Sequence, residues 1–359
     1  MSAVLRGSDA LFVASDNALH LLRLSNSLSP SIGPVLTLPS AVLRMAVVEE
    51  GVVAILADKR AVLVAETADG FAILSETSCS KRPVSLGIYR LSPDKTALLL
   101  ADKAGEVWAT DLPSMQRRVF LGGHCASVIT DLAVSPCGLI IATCDRDEKV
   151  RLSSLPSFDT VRYCLGHVDV VTSVSFVPGR SHTSQPLLCS VGWDFTLFLW
   201  DCSSGRLLDR LAFDASSSRH KQQGGDGDEA LLGERVYDEN EAGSFPFKVV
   251  AFSGAQGEEA FAAVLFRGEK TAQVVKIIDD SEGWKFSCAG PILLDSIPSE
   301  VIPLSPGIIG FLTGKPTYLS CYDLGFRDGQ VVIAEHTGRF QATVNEFRTY
   351  CSAHGTTLP

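Results

Sequence analysis

His124 is followed along the chain by Thr143 and Asp147, and His167 by Ser190 and Asp194. Imidazole, hydroxyl and carboxylate are the groups of nucleophilic acyl transfer, in which a histidine oriented by an acid takes the proton of a serine or threonine. A triad, however, needs an oxyanion hole beside its nucleophile, and on an α/β-hydrolase scaffold a strained nucleophile turn. The chain contains no Gly-x-Ser-x-Gly elbow, no phosphate-cradling loop and no strand-linked Gly-x-Gly-x-x-Gly. Ten cysteines are scattered singly, without a Cys-x-x-Cys pair, the pattern of reduced, mostly buried thiols. No catalytic, cofactor-binding or metal-binding residue is therefore assigned.

The elements that carry these residues explain them better. "RLSPDKTALLLADKAGEVW" at 90–108 aligns without gaps on "AVSPCGLIIATCDRDEKVR" at 133–151, an offset of 43 residues. A small residue followed by Asp recurs at Asp16, Asp58, Asp102 and Asp145, and Gly166-His167 stands forty-three residues after Gly123-His124. The fifth unit ends in Trp200-Asp201. Each unit reads as about four short strands, with alternation in "KVRLSS" and "TLFLWD" and turns at "SPDK", "SPCG" and "VPGR". Such a period resembles a WD40 array, an all-β propeller. The 359 residues divide into about seven blades as a single domain, with 247–279 and 301–323 expected as blades six and seven. In WD repeats His, a strand hydroxyl, a turn Asp and Trp form a hydrogen-bonded network. His167, Ser190, Asp194 and Trp200 match all four positions, whereas blade four keeps His124, Thr143 and Asp147 but has Ser153 in place of Trp.

Net charge is −10, with 41 acidic and 31 basic residues, so bulk charge does not predict a self-sufficient nucleic-acid binder. The segment 214–244 is rich in Ser, Gly, Gln and acids, too polar to offset the entropy of ordering. A disordered loop between blades five and six is expected there. Neither a signal peptide nor an apolar run of bilayer length is present, and an intracellular, soluble chain is the expectation.

One stretch departs from the repeat. "CDRDEKVR" at 144–151 holds six charged side chains in eight residues. Aligned on "GWDFTLFLW", its Val150 and Leu152 keep the apolar face of a strand, while Lys149, Arg151 and Ser153 replace Thr196, Phe198 and Trp200. Neighbouring blades should cover Arg151, and a covered guanidinium calls for carboxylates, for which Asp145, Asp147 and Glu148 are the local candidates. The turn reads either as a solvated, self-paired hairpin or as a contact surface. Trp193 and Phe195 beside it either pack on neighbouring loops or offer aromatic anchors.

"DRDEKVR" with "CLGH" at 164–167 and "DLAVSP" at 131–136 closely resembles the WD-repeat, non-catalytic subunit of the eukaryotic tRNA (guanine-N7)-methyltransferase, specifically over 123–202 and more weakly over 80–122. The resemblance implies a heterodimer in which a separate subunit binds S-adenosylmethionine and methylates N7 of a guanine in the tRNA variable loop. It also implies a nuclear location, extending to the cytoplasm. Lys149 matches the family lysine that pairs with an acid of the catalytic partner, and Arg151 the arginine that braces the turn. Arg146, Glu148 and Trp193 are further interface candidates, with Asp145, Asp147 and Arg151 supporting the turn. Transfer RNA would be met through the complex. A general propeller adaptor, such as a ubiquitin-ligase substrate receptor, is the alternative.

Overall fold

The computed structural model describes residues 2–6, 10–23, 34–92, 95–178, 186–213, 244–254, 259–281, 283–313, 319–327 and 330–335. Most of the acidic segment, 214–243, and the C-terminal stretch from 336 lie outside these residues. The described strands form seven four-stranded antiparallel sheets, spanning 2–37, 42–78, 83–123, 129–165, 171–212, 245–293 and 298–335. This is the seven-bladed propeller expected from the repeat. Each sheet is built from consecutive strands, and the first strand of each lies against the first strand of the next. Ser2–Arg6 meets Pro298–Ser305 to close the ring. Closure thus uses sheet-on-sheet packing, without strand exchange.

Burial follows the period-two pattern. Central strands such as Gly51–Leu56 and Leu187–Gly192 are buried throughout because both faces meet a neighbouring blade. The apolar clusters lie between sheets. Ala142, Val150, Leu152, Val174, Phe198 and Trp200 join the fourth to the fifth, and Leu99, Val107, Ile141, Leu155 and Phe158 join the third to the fourth. Of the described cysteines, Cys79, Cys144, Cys164, Cys189, Cys202 and Cys321 are buried, as scattered apolar thiols should be.

The repeat is less regular than its aspartates suggest. The left-handed residue of the central turn is Lys59, Gly105, Glu148 and Phe195 in the second to fifth sheets. Counted from it, Asp102 and Asp145 are equivalent. Asp58 is two residues later in register, and it pairs at the surface with Arg60. The even spacing of the four aspartates therefore does not mark one structural position.

At the axis, Asp131 ties sheets together. Its carboxylate accepts the Ser85 hydroxyl of the third sheet at 2.8 Å and the Ser173 hydroxyl of the fifth at 2.7 Å. Arg44 of the second sheet approaches to 3.9 Å. Burial pushes the Asp131 carboxyl up, but the charges of Arg44 and Lys248 and the two hydroxyls outweigh it and hold it below the ordinary range. Removing a buried, fully partnered carboxylate strands its donors. Asp131→Ala should cost about 3 kcal/mol, read as a lower midpoint in urea denaturation.

Candidate docking turn

The turn is made by a tight connection between the strands Ile140–Asp145 and Lys149–Ser154. Glu148 sits at φ 66°, a conformation a non-glycine residue adopts only when its surroundings fix it. The fixing group is Asp145, whose side chain is wholly buried. Its Oδ1 accepts the backbone N–H groups of Asp147 and Lys149, each at 3.0 Å. Its Oδ2 lies 2.7 Å from His124 Nδ1, and His124 Nε2 lies 2.7 Å from the Thr143 hydroxyl. Asp145 is thus both the network acid and the anchor of the turn.

This corrects the expectation that Asp147 completes the fourth-blade network. The Asp147 carboxylate points outward, 55% exposed, and among the described residues its ion-pair partner is Lys149, at 3.6 Å. The fifth blade has the other solution. His167 lies 2.8 Å from Asp194 and 2.7 Å from Ser190, and the Trp200 indole donates to Ser190 at 2.7 Å. The position equivalent to Asp145 is Gly192 there, and a Cβ on it would come within 3.1 Å of His167 Nδ1 and 3.3 Å of Asp194 Oδ1. Each blade has room for one carboxylate on its histidine, delivered from either of two turn positions. Alignment alone could not say which. All of His124, Thr143, His167, Ser190, Asp194 and Trp200 are placed in these two networks.

The third blade shows what the histidine does. Asp102, equivalent to Asp145, accepts the N–H groups of Ala104 and Glu106, but forty-three residues before His124 stands the exposed Lys81. Asp102 Oδ2 is buried and has no hydrogen-bond partner. Burial accordingly pushes the Asp102 carboxyl up despite its two backbone donors. Burial pushes at Asp145 too, but the His124 hydrogen bond, the Lys149 backbone N–H and the charges of His124 and Lys149 hold it below the ordinary range.

Arg151 is half-buried, as its position on the strand requires, but not as an ion pair. Among the described residues it meets no carboxylate within ion-pairing distance. NH1 donates to the Gly123 carbonyl at 2.5 Å, Nε donates to the Ser153 hydroxyl at 3.1 Å, and the guanidinium lies 5.3 Å from the centre of the Phe158 ring. Peptide dipoles and a ring face serve in place of acids because Arg151 points toward the third blade, away from the turn's carboxylates. Through Gly123 it braces the backbone next to His124. Phe158 was not found from sequence, since it lies in a turn where no strand period marks it. A Cβ on Gly122 would meet its ring at 2.8 Å, much as one on Gly166 would meet Trp200 at 3.0 Å. Phe158 fills the inter-blade space that an indole fills one blade on.

The exposed tip consists of Arg146, Asp147 and Glu148. The Lys149 ammonium lies 3.0 Å from the Asp147 carbonyl and 3.5 Å from Asp145 Oδ2, with its side chain 36% exposed. It is a cation in a fixed place with an open side. Trp193 is half-buried, its ring 4.8 Å from Phe245, and Phe195 packs on the apolar cluster between the fifth and sixth sheets. Their aromatic surface is thus largely turned to neighbouring residues.

Residues 110–240 match the family described as the tRNA methyltransferase TRM82 WD40 domain. Over 114 residues the chain is 41% identical to the Homo sapiens protein named tRNA (guanine-N(7)-)-methyltransferase non-catalytic subunit WDR4, covering 31% of this chain and 26% of that one. To the similarly named protein of Dictyostelium discoideum it is 33% identical over 153 residues, 36% of this chain and 31% of that one. The aligned region thus spans less than a third of the length of these relatives. A chain in the crystal structure of the mitotic checkpoint complex superposes with a TM-score of 0.63 at 14% identity, over 94% of this chain and 89% of that chain, a likeness of fold alone. The family match contains the charged turn, and these relatives are named as non-catalytic subunits.

Folding stability should separate the two equivalent aspartates. Because the folded-state acidity of Asp145 is stronger than that of an unfolded aspartate near pH 3.9, its contribution is complete above about that pH and fades as pH falls further. Asp145→Asn should cost about 2 kcal/mol at neutral pH, with the gap in melting temperature closing in acid, while Asp102→Asn should change stability by less than about 0.5 kcal/mol. Arg151→Ala should reduce stability by about 1 kcal/mol, seen as a lower melting temperature, because the Gly123 carbonyl and the Ser153 hydroxyl lose its hydrogen bonds. Thermal melts across pH check all three.

Proposed function

We propose that this chain is the non-catalytic WD-repeat subunit of a tRNA (guanine-N7)-methyltransferase, binding a separate S-adenosylmethionine-dependent subunit and holding it active. The observation that carries this reading is the turn at 145–149. Its backbone is locked from beneath by a buried carboxylate, its charged side chains face outward, and it lies inside the region matched to that family.

In this reading Lys149 pairs with an acid of the catalytic subunit, while Arg146 and Glu148 set specificity and association rate. The ammonium is already desolvated on one side by Asp145 and the Asp147 carbonyl, so a partner carboxylate completes its coordination with little further ordering. Arg151 acts behind it as a positioning residue. The chain binds no S-adenosylmethionine itself. Transfer RNA is met through the complex, and the assembly resides in the nucleus.

Lys149→Glu should abolish stable association with the catalytic subunit in pull-down, while the isolated chain still unfolds in one cooperative transition, at a midpoint lowered by the loss of the Lys149–Asp145 attraction. An unchanged complex would remove Lys149 from the interface. Normal N7-methylguanine in tRNA after depletion of this chain would instead favour a general adaptor.

A further inference from the structure

The sheet edge opposite the charged turn opens between the third and fourth blades into a cavity of about 550 Å³, within the range of roughly 300–1,000 Å³ typical of ligand clefts. Its position follows from strand direction. Lys149 begins the strand Lys149–Ser154, and Leu155 and Pro156 beyond its far end line the cavity. Six residues at about 3.3 Å each separate the cavity from the turn by some 20 Å.

The opening has a cause in the sequence. Strand pairing makes Ala97, opposite Asp111, equivalent to Ile140, opposite Ser154, and to Leu187, opposite Asp201. Ala109, opposite Leu99, is likewise equivalent to Leu152 and Leu199. The fourth and fifth blades carry two branched side chains where the third has two methyl groups. The missing volume lies between Tyr89, Leu99, Leu121 and Leu155.

Two features mark this as more than a packing defect. Its margin leaves apolar side chains in water, with Leu91 51% and Val119 40% exposed. Its rim is cationic. Lys95 and Arg117 line the opening, are exposed, and form no ion pair among the described residues. Among the described lining residues the one acid is Asp111, which its own turn engages, accepting the Arg117 backbone N–H at 2.6 Å and the Ser114 hydroxyl.

We infer that this groove is a docking site for a linear peptide segment of a partner protein, with apolar anchors seated over Ala97 and Ala109 and flanking carboxylates against Lys95 and Arg117. An apolar floor under a basic rim selects that chemistry over nucleic acid, whose phosphates would leave the floor uncovered. The site lies on the opposite edge from the docking turn, so both can be occupied at once, and it does not depend on the function proposed above.

Short random peptides displayed on phage, selected on the full chain and counter-selected on Ala109→Leu, test this directly. The substitution rebuilds the side chain that the next two blades carry, so the variant is expected to fold. The selected pool should be acidic and apolar, and a synthetic peptide from it should bind Ala109→Leu and the Lys95→Glu/Arg117→Glu variant at least about tenfold more weakly by fluorescence anisotropy. A pool that Ala109→Leu retains equally, or one that is basic, would overturn the inference. So would single-stranded RNA binding lost in the charge-reversed variant. Self-association in sedimentation, abolished by Ala109→Leu, would assign the groove to a second copy, and loss of the catalytic subunit from Ala109→Leu would merge it with the turn's interface.

Discussion

A carboxylate buried away from water must either give up its charge or have its lone pairs satisfied. Asp145 keeps its charge because two backbone N–H groups, an imidazole and a nearby ammonium meet it at once. Those same bonds define the turn's shape, hold Glu148 in a left-handed conformation and fix His124, which follows the last strand of the third blade, against the fourth. Asp102, in the same position without a histidine, is left with an unpaired oxygen. The comparison within one molecule shows that the imidazole and the Lys149 ammonium, both of which Asp102 lacks, with Glu106 in the lysine's place, rather than the turn alone, make the buried charge sustainable.

Around that anchor the fourth blade divides its strand between two tasks. Val150 and Leu152 join the apolar layers on one side. The other side exchanges the stacked Phe198 and Trp200 of the fifth blade for Arg151 and Ser153. Arg151 keeps the contact between blades by bonding Gly123 and covering Phe158. A less apolar blade interface is the consequence, and a charged, rigid turn is what it makes possible.

Much of this was legible in the sequence. The forty-three-residue period revealed the propeller, the chain length and the strand rhythm at 247–279 and 301–323 set the blade count, and the Gly-His, hydroxyl and Trp positions marked the fifth-blade network residue by residue. What failed were readings that needed three dimensions. Asp147 and Asp194 share an alignment column, yet only the space beside Gly192 reveals that the fourth blade draws its acid from Asp145. Period two put Arg151 on a covered face correctly but could not say that a carbonyl and a ring lay within reach while the carboxylates did not. Phe158, in an irregular turn, left no periodic trace. The groove at Ala97 and Ala109 is visible as composition only after strand pairing shows which residues of other blades they replace.

In the function proposed for this chain, the propeller exerts its effect through what it holds in place. The central claim is that the chain keeps a separate tRNA methyltransferase active by docking it on the turn at 145–149. The direct measurement is N7-methylguanine formed on tRNA by the catalytic subunit, expressed with and without this chain. The account predicts turnover only with the chain present, and its loss when Lys149→Glu replaces wild type. Equal methylation in all three preparations would contradict it.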